Sequence, residues 1–174
     1  MEPFYLTVTS SGAGHFADEN GPSKFRVHLG KAHKLQGEWE VGLAEVHVPA
    51  TLYTESKTKI TSNTTGPPKV ETLYLDFDDP KLSLLNIECD LIADQYVDHM
   101  HHKVLRTINI KKNKYFPGNM KSYTFDNIFY FALATADISN VGMFITTDAG
   151  KKALFASGTV TALLHFRPRQ NGRS

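Results

Sequence analysis

Near the end of the chain, residues 158–167 form the pattern that most restricts what this sequence can fold into. Apolar residues occupy every second position, namely Val160, Ala162, Leu164 and Phe166, and the positions between them are polar except for Leu163. Successive side chains of a β-strand point to opposite faces, so this alternation predicts a strand that buries one face in a core. Because Gly158 opens the segment and Pro168 closes it, we expect this strand to complete the core.

Similar alternation recurs along the rest of the chain, with turn-forming or polar segments in between. The predicted strands are residues 4–8, 25–29, 38–48, 73–77, 87–91, 104–110, 128–135 and 141–147. Residues 30–37 and 54–70 are predicted connections, and residues 151–155 are predicted to form a hairpin with the last strand. About eight to ten short strands without a secure helix predict an antiparallel β-sandwich or barrel.

Residues 79–98 allow two interpretations. Asp79 and Pro80 are typical of a helix start, and apolar residues follow at helical spacing. From Ile87 to Leu91, however, apolar and acidic residues also alternate. We favour a short turn at residues 81–84 followed by a strand, because the segments on both sides are strands.

The strand predicted at residues 38–48 changes face part-way along its length. Trp39, Val41 and Leu43 share one face, whereas Val46 and Val48 continue with the opposite parity. One extra residue in a strand moves every later side chain to the other face. We therefore predict a bulge or bend at residues 42–44.

Composition is that of an ordinary globular protein. With 174 residues and 41% hydrophobic residues, we expect one domain over residues 1–170 and a short tail at 171–174. The formal net charge of +1 argues against attraction of the whole surface to nucleic acid or an anionic membrane, and leaves room for a local patch. The single Cys89 precludes an intramolecular disulfide and suits a reducing compartment. Residues 1–11 lack a signal-peptide pattern, and no stretch is apolar enough to span a membrane, so we expect a protein that is not secreted.

Candidate metal ligands are concentrated in one polar segment. His99 and His101 share a strand face, with Asp94 and Asp98 nearby, and neutral imidazoles suit zinc or nickel. The segment lies between two predicted strands, where polar turn residues belong. We therefore keep His99 and His101 as candidates only, and predict neither a metal site nor a cofactor.

The sequence shows no pattern of a catalytic site. There is no Gly-x-Ser-x-Gly segment, and Cys89 alternates with apolar neighbours as a core residue does. A pair of acids that converges from distant strands leaves no spacing to recognise, so an enzyme on a β-sandwich stays open as an alternative. We predict no catalytic residue and no enzymatic activity.

Basic residues form two small clusters. The first is Lys111, Lys112 and Lys114, and the second is Arg167, Arg169 and Arg173. Either cluster could contact phosphates, although a solvated loop and a solvated tail explain them as well.

Several segments that occur in one order carry a family resemblance. They are FYLTV at residues 4–8, GEWEVGLAEV at 37–46, CDL at 89–91, LRTI at 105–108 and GTVTALLHFR at 158–167. Together they resemble the minor capsid (penton) proteins of Polinton/Maverick elements and the related adintoviruses. The chain departs from that pattern in Gln36, in residues 98–99 where the family has a Gly-Asp turn, and in residues 54–70, which have no equivalent. These departures concern loops more than strands.

The resemblance implies a single jelly-roll protein of the virion, assembled inside the host cell as a homopentamer at the fivefold vertices of an icosahedral capsid. It implies the double jelly-roll major capsid protein of the same element as a partner, and no active site, cofactor or membrane contact. In such a protein, Arg167 and Arg169 become candidate contacts with a neighbouring subunit or with packaged DNA.

Eight short strands with connections of Greek-key size in one domain also match a jelly roll, and subunits of that shape can close into a ring by a heterologous contact between two different surfaces. Outward-facing residues that are candidates for these surfaces are Tyr5, Thr7, His28 and His47. The alternative function is a jelly-roll module that binds carbohydrate or a receptor and has no capsid role.

Overall fold

A computed structural model of the protein describes residues 2–11, 21–49, 52–53, 84–97, 100–109, 120–148, 150–155 and 158–169. These ranges contain thirteen strands and no helix. The strands are β1 (Phe4–Thr9), β2 (Lys24–Lys34), β3 (Trp39–Pro49), β4 (Leu52–Tyr53), β5 (Leu84–Cys89), β6 (Gln95–Val97), β7 (Met100–His102), β8 (Val104–Asn109), β9 (Met120–Thr124), β10 (Tyr130–Ala132), β11 (Asp137–Thr147), β12 (Leu154–Phe155) and β13 (Thr161–Pro168).

Two antiparallel sheets form a sandwich. The first sheet has the order β1-β13-β3-β10, with β9 also paired to β3, and the second has the order β2-β11-β5-β8. The pairs are nested, since β1 pairs with β13, β2 with β11, β3 with β9 and β10, and β5 with β8. An antiparallel ribbon wound in this way is a jelly roll. The predicted all-β single jelly roll is confirmed.

The last strand is an inner strand of the first sheet, as its pattern predicts. Val160, Ala162, Leu164 and Phe166 are all 0% exposed. The ring of Phe166 stacks on that of Phe4, with 4.9 Å between the ring centroids and 5° between the planes. Fully burying a Leu or Phe side chain stabilises a fold by about 1.5–3 kcal/mol. The final strand therefore contributes a large part of the core that the two sheets share.

The predicted bulge in β3 is confirmed. Leu163 of β13 pairs with Glu45, but the next residue, Leu164, pairs with Leu43, so Ala44 is the extra residue. On its other side β3 changes partner at the same place, from β10 at residues 40–42 to β9 at residues 45–49. The bulge therefore lets both halves of β3 turn their apolar side chains to the core.

The prediction that residues 30–37 form a connection was partly wrong. Strand β2 continues to Lys34, because its second half pairs again with β11 through Ile138↔His33 and Asp137↔Lys34. Between the pairs Asn140↔His28 and Ile138↔His33 the β2 side has three more residues than the β11 side. Gly30, Lys31 and Ala32 in this bulge are exposed and continue no apolar alternation, which is why the sequence pattern there is that of a connection.

The predicted hairpin between residues 151–155 and the last strand was also wrong. Strand β12 pairs with β4. Strand β13 is flanked by β1 on one side and β3 on the other, so it has no edge left to which a further strand could bond.

The aromatic segment at residues 128–135 forms only the short strand β10. Beyond it the chain crosses between the sheets, where Leu133 N donates to Trp39 O at 3.0 Å and Ala134 N to Leu91 O at 2.8 Å. A strand is confirmed in the segment where residues 87–91 were predicted to form one, but it begins and ends earlier, as β5 at Leu84–Cys89, and Asp90 and Leu91 lie in a turn. The strand predicted at residues 73–77, the connection at 54–70 and the turn at 81–84 lie outside the described residues, apart from Leu84, which opens β5.

A candidate interaction site on the outer face of the first sheet

Strand register aligns one row of residues across the outer face of the first sheet. Tyr5 of β1 pairs with His165 of β13, His165 pairs with Gly42 of β3, and Gly42 pairs with Tyr130 of β10. Gly42 has no side chain, so the residues on either side of it can meet. The Tyr130 hydroxyl lies 2.7 Å from His165 Nδ1, within hydrogen-bonding distance. The Tyr5 ring stacks on His165 at 4.4 Å.

Arg167 extends this row toward the end of the strand. Its guanidinium lies 3.5 Å from the centre of the Tyr130 ring, and its Nε donates to Glu40 Oε1 at 2.5 Å. The Arg167 and Glu40 side chains are 37% and 14% exposed, respectively. A charge-assisted hydrogen bond together with a cation–π contact holds the arginine in place. We call Tyr5, Glu40, Tyr130, His165 and Arg167 the outer-face cluster.

Within the outer-face cluster the imidazole of His165 favours its neutral form. Burial, and then the positive charge of Arg167, lower the pKa of His165 below its ordinary value of 6.5. Both effects disfavour an imidazolium. The positive charge of the cluster therefore resides on Arg167, where Glu40 balances it.

The four predicted surface residues fall on two different faces. Tyr5, which is 60% exposed, and Thr7 lie on the outer face of the first sheet. His47 lies on the same face and is held by Glu45 at 2.8 Å and Ser122 at 2.7 Å. His28 is on the second sheet, with its Nδ1 2.8 Å from Asn140 Oδ1. The sandwich therefore presents two chemically unlike faces.

Arg169, the other arginine predicted as a contact, lies just beyond β13. Its backbone N donates to Glu38 O at 2.9 Å, and its Nη1 lies 3.7 Å from Glu38 Oε2. Both side chains are exposed, so this ion pair is worth about 0–1 kcal/mol. Beside it is a shallow cleft of about 220 Å³, lined by residues 37–39, 132–136 and Arg169.

The side chains of the candidate metal ligands His99 and His101 lie outside the described residues. Of their expected neighbours, Asp94 forms an ion pair with Lys103 at 3.6 Å. Among the residues that the structure describes, no group of three or more His, Cys, Asp or Glu side chains is placed to hold a metal ion. Lys111, Lys112, Lys114 and Arg173 also lie outside the described residues.

Cys89 is fully buried, and burial raises the pKa of its thiol to about 12. A protonated, enclosed thiol is a poor nucleophile, which agrees with its predicted place in the core. No helix in the described part of the chain is long and apolar enough to cross a membrane.

Reasoning from the sequence missed Glu40 and Tyr130 as partners of Arg167. Glu40, Tyr130 and Arg167 come from three separate segments, and only the register of β3, β10 and β13 brings them together. One available signal was Gly42, a glycine inside an otherwise strong strand, which often marks a close approach of another chain segment.

Strand order, register and the shared core define this chain as a single jelly-roll β-sandwich. Comparison by sequence finds no matching protein family and no matching curated protein. Comparison by structure finds the crystal structure of the mavirus penton protein, with a TM-score of 0.59 and 10% sequence identity. The match covers 95% of this chain and 99% of that chain. The chain is therefore similar in fold, over nearly its whole length, to a viral penton protein.

Proposed function

We propose that this protein is a penton-type capsid subunit, a structural protein without enzymatic activity that assembles as a homopentamer at the fivefold vertices of an icosahedral capsid. The observation that carries the proposal is the fold likeness to the mavirus penton protein, which extends over 95% of this chain and 99% of the other. A fold by itself hosts many functions. The match nevertheless favours this role, because the likeness extends over nearly the whole of both chains and is not confined to a shared core.

The finer assignments belong to the same proposal. The subunit would be one domain at residues 1–170 with a short tail, from a Polinton/Maverick element or adintovirus. Its partner would be the double jelly-roll major capsid protein of that element. It would be assembled inside the host cell and located in the virion.

A ring of five requires two different surfaces on each subunit that fit one another. The two outer faces of the sandwich are two different surfaces of this sort. The outer-face cluster, which includes Tyr5, lies on one of them, and His28 lies on the other. Tyr and Arg are the residue types most enriched among the strongest contacts of protein interfaces. Tyr5 is exposed and already stacked on His165, so less side-chain entropy is lost when a partner covers it. We propose that the contact between neighbouring subunits joins the outer face of the first sheet of one subunit to the outer face of the second sheet of the next.

Mass photometry of the purified full-length protein tests the ring. We expect a species of five 19.4-kDa chains that grows with protein concentration, and rings with fivefold symmetry in negative-stain images. A monomer at every concentration and salt, also when the major capsid protein is co-expressed, would refute the proposal. Binding to a glycan array by such a monomer would favour the carbohydrate-binding alternative.

Mixing two variants tests the assignment of the two faces. Tyr5→Asp and His28→Asp should each prevent ring formation, and their equimolar mixture should stop at pairs, because only one intact contact can form between them. Lys151→Asp, at an exposed turn position, is the matched control and should form rings. Complete rings from both face variants would contradict the assignment. Dimers of one variant alone would point to a contact of a surface with itself.

A further inference from the structure

We propose that the edge strand β2 binds the phosphate backbone of nucleic acid. This strand has the sequence KFRVHLGKAHK. Its 11 residues include four Lys or Arg, two His and no acid, whereas the whole chain has 19 Lys or Arg against 18 Asp or Glu. Positive charge is thus concentrated on one strand of a protein that is nearly neutral overall. This inference does not depend on the proposed function. It concerns the subunit before a neighbour covers its second sheet, because Arg26 and His28 of β2 lie on the outer face that is assigned to the subunit contact.

The fold places these charges where a ligand can reach them. Strand β2 is the first in the order β2-β11-β5-β8, so one of its long sides is an edge of the sheet. Phe25 is buried in the core, and Arg26 and His28 therefore point to the outer face. The bulge between His28 and His33 exposes Lys31, and Lys34 is exposed at the end of the strand.

Acidic neighbours balance only part of this charge. Arg26 forms an ion pair with Asp90 at 3.1 Å, and its side chain is 61% exposed, so the pair is weak. Lys34 pairs with Asp137 in the β-ladder, but within the described residues no carboxylate lies within ion-pair distance of Lys31 or Lys34. Arg167 and Arg169, by contrast, each form an ion pair with a glutamate. Within the described residues, Lys31 and Lys34 of β2 are therefore less balanced by acids than Arg167 and Arg169, the arginines that the sequence suggested.

The dimensions of the strand also suit a nucleic-acid backbone. Eleven extended residues, less the three extra residues of the bulge, span roughly 26 Å, about three quarters of the roughly 34–36 Å in one turn of duplex DNA. Lysine is a compact charge on a flexible stem, which fits contact with phosphates rather than reading of bases. The binding should be independent of sequence and sensitive to salt. Charges on an edge strand also prevent pairing with other sheets, and the experiment must separate the two roles.

Fluorescence anisotropy with a labelled 25-base-pair duplex, at 50 to 200 mM NaCl, provides the test. If four basic residues contact phosphates, affinity should fall about 100-fold over this range, because each contact adds about −0.9 to the slope of log K against log salt. The double variant Lys31→Gln/Lys34→Gln should lose about half of that slope. Between 50 and 200 mM NaCl, the affinity of this variant should therefore fall only about tenfold. The matched control Lys151→Gln/Lys152→Gln removes two exposed lysines elsewhere and should bind like the unaltered protein.

Three results would overturn the proposal. One is that the unaltered protein does not bind the duplex at 50 mM NaCl. Another is that the control variant loses as much slope as the β2 variant. The third is that the β2 variant aggregates in size-exclusion chromatography while its monomer binds DNA as before, which would leave protection of the edge as the role of these lysines. A competition experiment adds a check on the ligand. If polyglutamate displaces the labelled duplex as well as unlabelled duplex does at the same total charge, the strand does not prefer phosphates and the assignment is wrong.

Discussion

Replacing Gly42 by alanine should destabilise the protein through the backbone of a neighbouring segment. A Cβ at this position would lie closer than 3.0 Å to the Ile128 side chain and to the carbonyl oxygen of Phe129, a distance that real Cβ atoms essentially never show. The segment cannot simply move away. Its neighbour Asn127 accepts a hydrogen bond from Arg106 at 3.2 Å, and the Arg106 guanidinium lies 4.0 Å from the centre of the Phe129 ring.

The expected cost follows from what must shift. Overpacking of this kind typically costs about 1–3 kcal/mol. We expect the upper half of that range, because a displaced β10 would also weaken the contacts of Tyr130 with His165 and Arg167. In a protein of this size, about 2 kcal/mol corresponds to a fall in Tm of about 4–8 °C.

Two other glycines provide a graded comparison. A Cβ on Gly30 has nothing within 4 Å, so Gly30→Ala should change stability by less than about 0.5 kcal/mol. A Cβ on Gly142 would meet the Asp90 side chain, whose Oδ1 accepts from Gly142 N at 2.8 Å. That side chain can turn away at the loss of about 1 kcal/mol for the hydrogen bond.

Thermal unfolding followed by circular dichroism should therefore rank the variants with Gly42→Ala least stable, Gly142→Ala intermediate and Gly30→Ala near the unaltered protein. The reasoning fails if Gly42→Ala melts together with Gly30→Ala, or if Gly142→Ala is the least stable of the three.

Three further predictions concern the core, pH and the thiol. Leu164→Asp should abolish folding, because an unpaired charge would be buried at a position that is 0% exposed. The free energy of unfolding of Arg169→Ala, measured in urea, should stay within about 1 kcal/mol of that of the unaltered protein. A folded Leu164→Asp protein would contradict this. The free energy of unfolding should fall as pH is lowered through 6.5, because the unfolded chain takes up a proton that His165, with its lowered pKa, resists in the folded state. His165→Gln should lose part of that dependence, as urea titrations at pH 7.5 and 5.5 would measure, and an unchanged dependence in this variant would contradict the reasoning. Cys89, with a thiol pKa raised to about 12 by burial, should react with a thiol reagent at pH 8 only on unfolding, and rapid reaction of the native protein would refute its enclosure.

Two strands illustrate how far the sequence could predict the fold. In β13 the apolar residues at every second position are all buried, and in β3 the change of parity falls at the extra residue Ala44. Both predictions rest on the alternation of side chains along an extended backbone, which depends on neighbouring residues only.

Pairing between strands was the point at which prediction failed. The sequence predicts Leu154 and Phe155 beside the last strand, but they pair with β4. It predicts a connection at residues 30–37, but residues 30–34 belong to β2. Which edge a strand joins depends on what already occupies the neighbouring edges, and these neighbours are distant in the chain. The outer-face cluster was missed for the same reason, because Tyr5, Tyr130 and His165 meet only through the register of four strands.

From the order of its residues alone, this chain could be recognised as an antiparallel β-sandwich or barrel with a buried last strand, because period-two alternation is a property of each segment by itself. The sequence also contains the basic strand β2, and its charges can be counted there. Folding determines which basic residues of the chain are balanced. It places Asp90 beside Arg26 of β2 and Glu40 beside Arg167 of β13, and it leaves Lys31 and Lys34 of β2 exposed. Electrostatic interactions depend on distance in space, and strands far apart in the chain set that distance.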